Sequence, residues 1–561
     1  MGKRAINTFK YYVFLIIVGA LIVLSVSCGN DTEEQITDLT LITDNEVNFE
    51  IIYPKDASAT VMNSIKSISK AVSTLTGTEP VVKEGNGEIE GSGNIFIGYN
   101  DHPDVKQALT NVGYYQYLVT VINNNIVIAS LDDSNLYTAA EYLSIQMIQD
   151  FKDGNLTISS DLYLTGSTRS NKLLANIPYF DGGTFGSTHD CDDDFYMIII
   201  YDAQKEEYEA YTKKIEERDF SLHASNNMNG NLFSTYLKNN IMLHTYYVDH
   251  SNEVRVIVAE NANLPLSGPD SYTKVTSNTL VQLNAGGGMG YLYQLEDGSF
   301  LIIDGGQYQR SCADDIYKIM KNLAPDPNNI VISAWILTHG HMDHTGAFMC
   351  FAEFYGNNKE ITIKSLIYNM NLTKEHTAHF NSSTWSNVEK YHREYYPSVP
   401  FYKALTGQKY YIANAEVEFL YCMQDYMPNI IEDIDGDLST LDGDSNIQSL
   451  VFTVTVAGQK FTFLADTTTV NCNEICARYG NYLTSDFVQM AHHGIYHPTN
   501  PRSQNATKEI YSLISPDYAL WPSHTAAGKM SNEVNAYLKS IIKQWFTSGG
   551  PSTVFELPYI K

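Results

Sequence analysis

In the N-terminal part of the chain two stretches carry apolar residues at helical spacing. Val61, Ile65, Ile68, Val72 and Leu75 share one stripe of a helix predicted over Ala59 to Leu75, and Leu136, Ala139, Ala140, Leu143, Met147 and Phe151 share one over Asn135 to Phe151. Short apolar runs at Phe49 to Tyr53, Asn94 to Gly98, Tyr117 to Ile122 and Ile126 to Ala129 predict strands, the last two joined by a turn at Asn123-Asn124-Asn125. Together they predict an α/β accessory domain over residues 48–168. A helix at Ala203 to Glu217 and strands at Phe195 to Tyr201, Met242 to Val248 and Val254 to Val258 predict a second α/β region over 169–277, with no chemistry assigned to it. From Thr279 the texture changes to long apolar strands ending in polar loops: Leu280 to Leu283, Tyr291 to Leu295, Phe300 to Ile303, Val331 to Leu337, Leu450 to Val456, Phe461 to Leu464, Phe487 to Met490 and Tyr518 to Trp521. Helices are expected among them at Asp314 to Leu323 and Asn532 to Trp545. This order suits an αββα sandwich over residues 278–561, within an α/β multidomain chain.

A length of 561 residues calls for two or three domains, and 43% hydrophobic with 18% charged residues is a soluble globular composition. The formal charge of −28 repels a long polyanion, which makes nucleic acid an unfavourable partner. The 40 tyrosines suit surfaces that meet sugars, whose apolar faces stack on rings. Lys3, Arg4 and Lys10 precede an apolar run from Tyr11 to Val26 and then Ser27-Cys28-Gly29, a secretory pattern. It resembles a bacterial lipoprotein signal with Cys28 as the lipidated residue and Ser25 where Leu is usual; an uncleaved membrane anchor is the alternative. Residues 1–28 are therefore expected to fix the protein to a membrane outside the cytoplasm, with 29–47 as a linker. The remaining cysteines form no CxxC pattern, and Cys472 and Cys476 lie four apart on a predicted helix.

The chemistry concentrates in Leu337-Thr-His339-Gly-His341-Met-Asp343-His344-Thr-Gly346. Three histidines and an aspartate at this spacing arise by chance on the order of once in a million positions. A loop that follows a strand aims His339 and His341 at one metal ion while Asp343 and His344 turn towards a second. Imidazole and carboxylate donors suit Zn, Mn or Fe.

This motif resembles that of the metallo-β-lactamase superfamily, and so do three other segments. Phe300-Leu-Ile-Ile-Asp304-Gly-Gly306 resembles the strand and turn that precede the motif. Phe461-Thr-Phe-Leu-Ala-Asp466 resembles the strand ending in a metal-bridging carboxylate, and Phe487-Val-Gln-Met-Ala-His492-His493-Gly494 the strand that delivers the last histidine. The resemblance covers about half the chain and implies one or two zinc ions, or manganese or iron, held by His339, His341, Asp343, His344, Asp466 and His492 or His493. Asn284-Ala-Gly-Gly-Gly-Met-Gly290, Asn446-Ile-Gln-Ser-Leu-Val451 and the His-His-Gly run resemble the hydrolase domain of the DNA-uptake competence group and of secreted phosphorylcholine esterases. That likeness implies attack on a phosphoester by metal-activated water oriented by Asp343, with a small or cell-surface phosphodiester as substrate. His524, at a strand end, is a candidate acid for the leaving group, with a structural role as the alternative. A third histidine for the first metal has candidates in His376, His379 and His392, each with a surface role as the alternative. His492 and His493, adjacent on a strand, should point to opposite faces, one binding metal and the other supporting it or meeting substrate. Asp190, Asp192, Asp193 and Asp194, and likewise Asp433, Asp435 and Asp437, read as solvated acidic loops. The N-terminal layout of Ile51-Ile-Tyr-Pro54, long helix, Ile95-Phe-Ile-Gly-Tyr99, hairpin and helix resembles accessory domains of polysaccharide-processing enzymes. The competing functions are a competence-type nuclease, which needs a basic groove, and an inactive glycan-binding surface lipoprotein, which should lack metal ligands.

Overall fold

The computed structural model describes residues 38–85, 93–98, 102–114, 116–131, 133–167, 173–174, 177–192, 195–370, 383–426, 445–495, 506–522, 532–548 and 550–560. The signal segment with Cys28, as well as His376, His379, His497, His524 and Asp433, Asp435 and Asp437, lies outside them. No described helix is long and apolar enough to cross a membrane.

The first region is a six-stranded sheet in the order Val81–Glu84, Glu50–Tyr53, Ile95–Ile97, Asn125–Ser130, Gln116–Ile122, Tyr163–Ser167, carrying the helices Ala59–Thr76 and Asp133–Asp150. The first helix starts at Ser58, whose hydroxyl accepts from Val61 N, and stops at Gly77 in the left-handed conformation. One correction falls on the linker expected over 29–47. Leu39–Thr43 is a strand paired with Leu156–Ile158, and its Leu39, Leu41 and Ile42 are buried in the domain core. Five residues with a single polar break were too short a run to stand out as a strand.

The second region is one antiparallel sheet ordered Thr184–Asp192, Phe195–Tyr201, Glu253–Glu260, Ile241–Val248, Asn231–Lys238, Ser221–Met228, with the helix Lys205–Glu217 on one face. Asp190 and Asp192, read above as loop, belong to its first strand, opposite Tyr196 and Phe195. The other face enters the core of the third region: Met197, Phe233, Met242 and Tyr246 pack in one cluster with Leu405, Phe419 and Tyr421. A buried ionic network pins the contact. Asp425 accepts from Arg478 Nη1 at 2.8 Å and from the Tyr246 hydroxyl at 2.9 Å, and Arg255 Nη1 lies 3.7 Å from it.

In the third region two sheets pack face to face. One runs Phe401–Lys403, Leu366–Tyr368, Ile330–Leu337, Phe300–Asp304, Gly290–Gln294, Thr279–Gln282, Thr553–Glu556; the other runs Lys409–Ile412, Ala415–Tyr421, Val451–Val456, Gln459–Phe463, Phe487–Gln489, Tyr518–Trp521, Gln544–Thr547. In the order given, the first sheet begins with parallel pairs and ends with antiparallel ones, and the second runs the other way. Alternate residues of the first sheet divide between two cores: Leu280, Tyr291 and Leu301 face the second sheet, where Tyr291 and Tyr293 meet Phe463 and Phe461 edge-on, while Val281, Leu292 and Ile302 face the helices Arg310–Leu323 and Met342–Tyr355. Helices Thr469–Tyr479, Lys508–Ile514 and Glu533–Ile541 cover the second sheet, which completes the αββα order. The helix expected over Asn532 to Trp545 ends at Ile541, and Gln544–Thr547 becomes a strand parallel to Tyr518–Trp521. Trp545 and Phe546 are strand formers that pack on Trp521 and Phe555, so packing overrides the helical period.

Candidate metal centre

Four strand ends of the sandwich converge. Phe300–Asp304 delivers Asp304, Ile330–Leu337 delivers His339 and His341, Gln459–Phe463 delivers Asp466, and Phe487–Gln489 delivers His492 and His493. Several of these turns need backbone that L-residues rarely adopt: Asp304, Ala465, His492 and His493 have φ of 52°, 49°, 47° and 52°. Such conformations each cost on the order of 1–3 kcal/mol and persist only where surrounding bonds enforce them. Here Trp335 Nε1 donates to the Asp304 carbonyl at 2.7 Å and Trp521 Nε1 to the His493 carbonyl at 3.2 Å.

Two triads result: His339, His341 and Asp466, and Asp343, His344 and His493. In the first, His339 Nε2 lies 3.1 Å from His341 Nδ1 and 3.9 Å from Asp466 Oδ2. In the second, His493 Nε2 lies 3.2 Å from both His344 Nε2 and Asp343 Oδ2. Asp466 joins them, with Oδ1 3.2 Å from His344 Nε2 and Oδ2 3.5 Å from His493 Nε2. Donors about 2.1 Å from a tetrahedral ion stand about 3.4 Å from one another, so these spacings fit a metal in each triad. Asp466 Oδ1 is buried and accepts no hydrogen bond, as expected of an atom shaped for a cation.

The supporting shell settles which ring nitrogens face inwards. His344 Nδ1 lies 2.9 Å from Asp304 Oδ2, and His493 Nδ1 lies 2.7 Å from the Pro522 carbonyl. Carboxylate and carbonyl oxygens only accept, so both Nδ1 atoms donate, and in the neutral rings both Nε2 lone pairs are turned to the cluster. Thr338 ties Asp304 further, through its N–H and its hydroxyl, each at 2.8 Å. Ser449 Oγ accepts from Asp466 N at 3.2 Å, and Leu450 N donates to the Thr338 carbonyl at 3.0 Å, joining the loops of the two sheets. Gly288 is required by contact: a Cβ there would stand 2.0 Å from the Asp343 carbonyl oxygen.

The electrostatics are those of buried carboxylates that demand positive charge. Burial opposes ionisation of Asp466, but His344, His493 and His492 hold its pKa well below the usual range. Burial also opposes that of Asp343, whose hydrogen bond to His493 and the charge of His344 hold it below its ordinary value. Burial pushes His339 well down, with His344 adding to it. Burial works against charging His493 as well, yet Asp466 and Asp343 outweigh it and raise it to about 9. Protons on the rings answer the carboxylates in the apo chain; divalent cations do so with the rings neutral, the state in which imidazole ligates.

The geometry separates the two adjacent histidines. They do not lie on a strand with opposed faces, as expected above; the strand ends at Gln489 and both sit in a left-handed turn, Ala491–Gly494, with rings 6.3 Å apart. His493 belongs to the second triad, while His492 Nε2 stands 3.8 Å from Asp466 Oδ2 and 3.3 Å from Asn446 Nδ2. His392 is not at the centre; its Nε2 bonds the Val399 carbonyl within its own helix-to-turn segment. Cys472 and Cys476 are buried free thiols on the helix Thr469–Tyr479 and belong to neither triad. Asp304, Thr338 and Ser449 were not singled out as site residues in the sequence, although all lie in or beside the quoted motifs.

No protein-family model and no curated protein matches the sequence. In structure the chain is similar to the metallo-β-lactamase fold protein YhfI from Bacillus subtilis, with 11% identity and a TM-score of 0.31 over 50% of this chain and 100% of that one. It is also similar to CmlA, a diiron β-hydroxylase from Streptomyces venezuelae, with 10% identity and a TM-score of 0.32 over 50% of this chain and 55% of that one. At these identities and scores the architecture stands on the strand order and the cores described above.

Proposed function

We propose that the chain is a metal-dependent hydrolase of the metallo-β-lactamase type that cleaves a phosphoester, most naturally a small or cell-surface phosphodiester. The observation that carries this reading is the pair of triads joined by Asp466. A bound pair of divalent ions, zinc or else manganese or iron, supplies Lewis acidity to phosphoryl oxygens and activates water at neutral pH. The chain's own part is to hold and aim. Asp343 is the most exposed member of the second triad, its side chain 28% accessible, so it faces the open side where water and substrate enter. Asp304 and the Pro522 carbonyl keep His344 and His493 in one tautomer and prevent the rings from turning between turnovers. His492, beside Asp466 and Asn446, is a neighbour of the first triad able to meet substrate.

The charge of −28 favours a compact ester over a nucleic acid. For the cell, the reading is an extracytoplasmic lipoprotein held through Cys28, supported by the sequence pattern of residues 1–28. The test is metal analysis of the purified chain, followed by assay against phosphodiester, phosphocholine, lactone, thioester and nucleic-acid substrates. Bound transition metal with phosphodiester turnover abolished by His341→Ala is the expected result; a metal-free chain, or turnover indifferent to that substitution, rejects the proposal.

A further inference from the structure

A cleft of about 460 Å³ opens where the edges of the two sheets meet the connector between the second and third regions. Its walls include Lys364, Ser365 and Tyr402 from the first sheet's edge, Tyr411 from the second's, and Asp270 and Tyr272 from the connector. Ser333, also on its wall, lies four residues before the end of its strand at Leu337, about 13 Å at ~3.3 Å per residue, and His339 lies past that end.

The connector has no helix or strand between Glu260 and Thr279, beyond the roughly 12–15 residues at which structureless loops become uncommon and are either functional or linkers. It is nevertheless fastened. Tyr272 is 40% exposed, yet its hydroxyl donates to Glu296 Oε2 at 3.0 Å. Lys274 Nζ donates to Glu296 Oε1 at 2.7 Å, and the N–H groups of Val275 and Thr276 donate to the Glu296 carbonyl at 2.7 and 3.2 Å. An aromatic ring is thus held by its tip on a residue that stays 40% exposed, so little freedom remains to be lost when something stacks on it. Tyr402 and Tyr411 are half-buried in the same cleft. The polar groups around them carry both signs and neutral hydroxyls. An aliphatic ligand would strip water from Lys364 and Asp270 without replacing its hydrogen bonds. An extended peptide would need main-chain pairing with Lys409–Ile412, an edge of four residues.

We propose that this cleft binds the sugar units of a glycan, with Tyr272, Tyr402 and Tyr411 meeting their apolar faces and Lys364 and Asp270 their hydroxyls. The site is separate from the metal centre and does not depend on its chemistry. The full chain is titrated with chitotetraose and with maltotetraose by calorimetry and ligand-observed NMR. At least one should bind, about tenfold more weakly after Tyr272→Ala or Tyr411→Ala, the loss expected for one stacked ring. Tyr272→Phe, which keeps the ring but frees its tip, should fall between, and His341→Ala should leave binding unchanged. Failure of both sugars to bind, or binding that survives the Tyr272→Ala/Tyr411→Ala double variant with its melting curve intact, overturns the proposal.

Discussion

Asp304 Oδ2 stands 2.9 Å from His344 Nδ1 with both side chains fully buried, so one carboxylate outside the triads decides which nitrogen of a ligand ring faces the cluster. Asp304→Asn presents an amide donor there and turns the His344 proton inwards. Zinc affinity, measured by competition with a chromophoric chelator, should fall about 10–100-fold, the usual loss for such a partner.

Asp466 touches both triads, whereas His341 touches one. Metal content by mass spectrometry should drop from about two ions per chain to about one with His341→Ala, and to near none with Asp466→Ala. Equal stoichiometry in the two variants would contradict the shared role of Asp466.

A Cβ at residue 288 collides with the backbone of Asp343 rather than with a movable side chain, and Met289 N also bonds the Asp343 carbonyl at 3.0 Å. Gly288→Ala should therefore displace Asp343 and weaken the second ion in particular. A loss of metal larger than the loss of melting temperature is the signature to look for.

His244 is buried between the second and third regions, its Nε2 donating to the Thr406 carbonyl and its Nδ1 accepting from the Thr235 hydroxyl, both at 2.9 Å. Burial lowers its pKa to about 4, against smaller raising effects of Thr406 and Asp425. A histidine that must stay neutral gives stability that is complete above its unfolded value near 6.5 and is lost as pH falls through 4. Urea unfolding at pH 7.5 and 5 should show a smaller acid loss in His244→Gln than in the parent chain.

Arg478 is buried with Nη1 on Asp425 and its carbonyl accepting from Asn231 Nδ2 at 2.8 Å. Arg478→Met leaves Asp425 without its nearest cation. A cost of about 3–5 kcal/mol is expected from chemical denaturation, in line with breaking a buried pair from one side.

Sequence legibility followed local repetition. Eight strands of the sandwich could be read as apolar runs, and the six residues that the structure gathers into two triads lie past the ends of three of them. The strands Ile361–Ile363, Leu366–Tyr368 and Phe401–Lys403 were passed over because three residues carry no period, and Lys409–Ile412, Ala415–Tyr421 and Thr553–Glu556 were passed over because Lys, Glu and Thr break their apolar runs. The separation of His492 from His493 was hidden for a different reason. It depends on two consecutive left-handed residues, enforced by Trp521 and Pro522 some thirty positions later, and nothing in the spacing announces them. The place of the second region was equally out of view, since Arg255 and Asp425 become partners only in three dimensions.

The first sheet of the sandwich is finished by Thr553–Glu556, which lies antiparallel to Thr279–Gln282 although almost the whole third region separates them in sequence. During synthesis, the region's first strand must wait on one side until residues 553–556 emerge from the ribosome. The sandwich therefore closes only after all of its other strands have been made, while residues 38–167 can collapse on contacts already made. The side chains of the two triads come from strand ends spread over residues 337 to 493, so in a sheet closed this way they gather late rather than strand by strand.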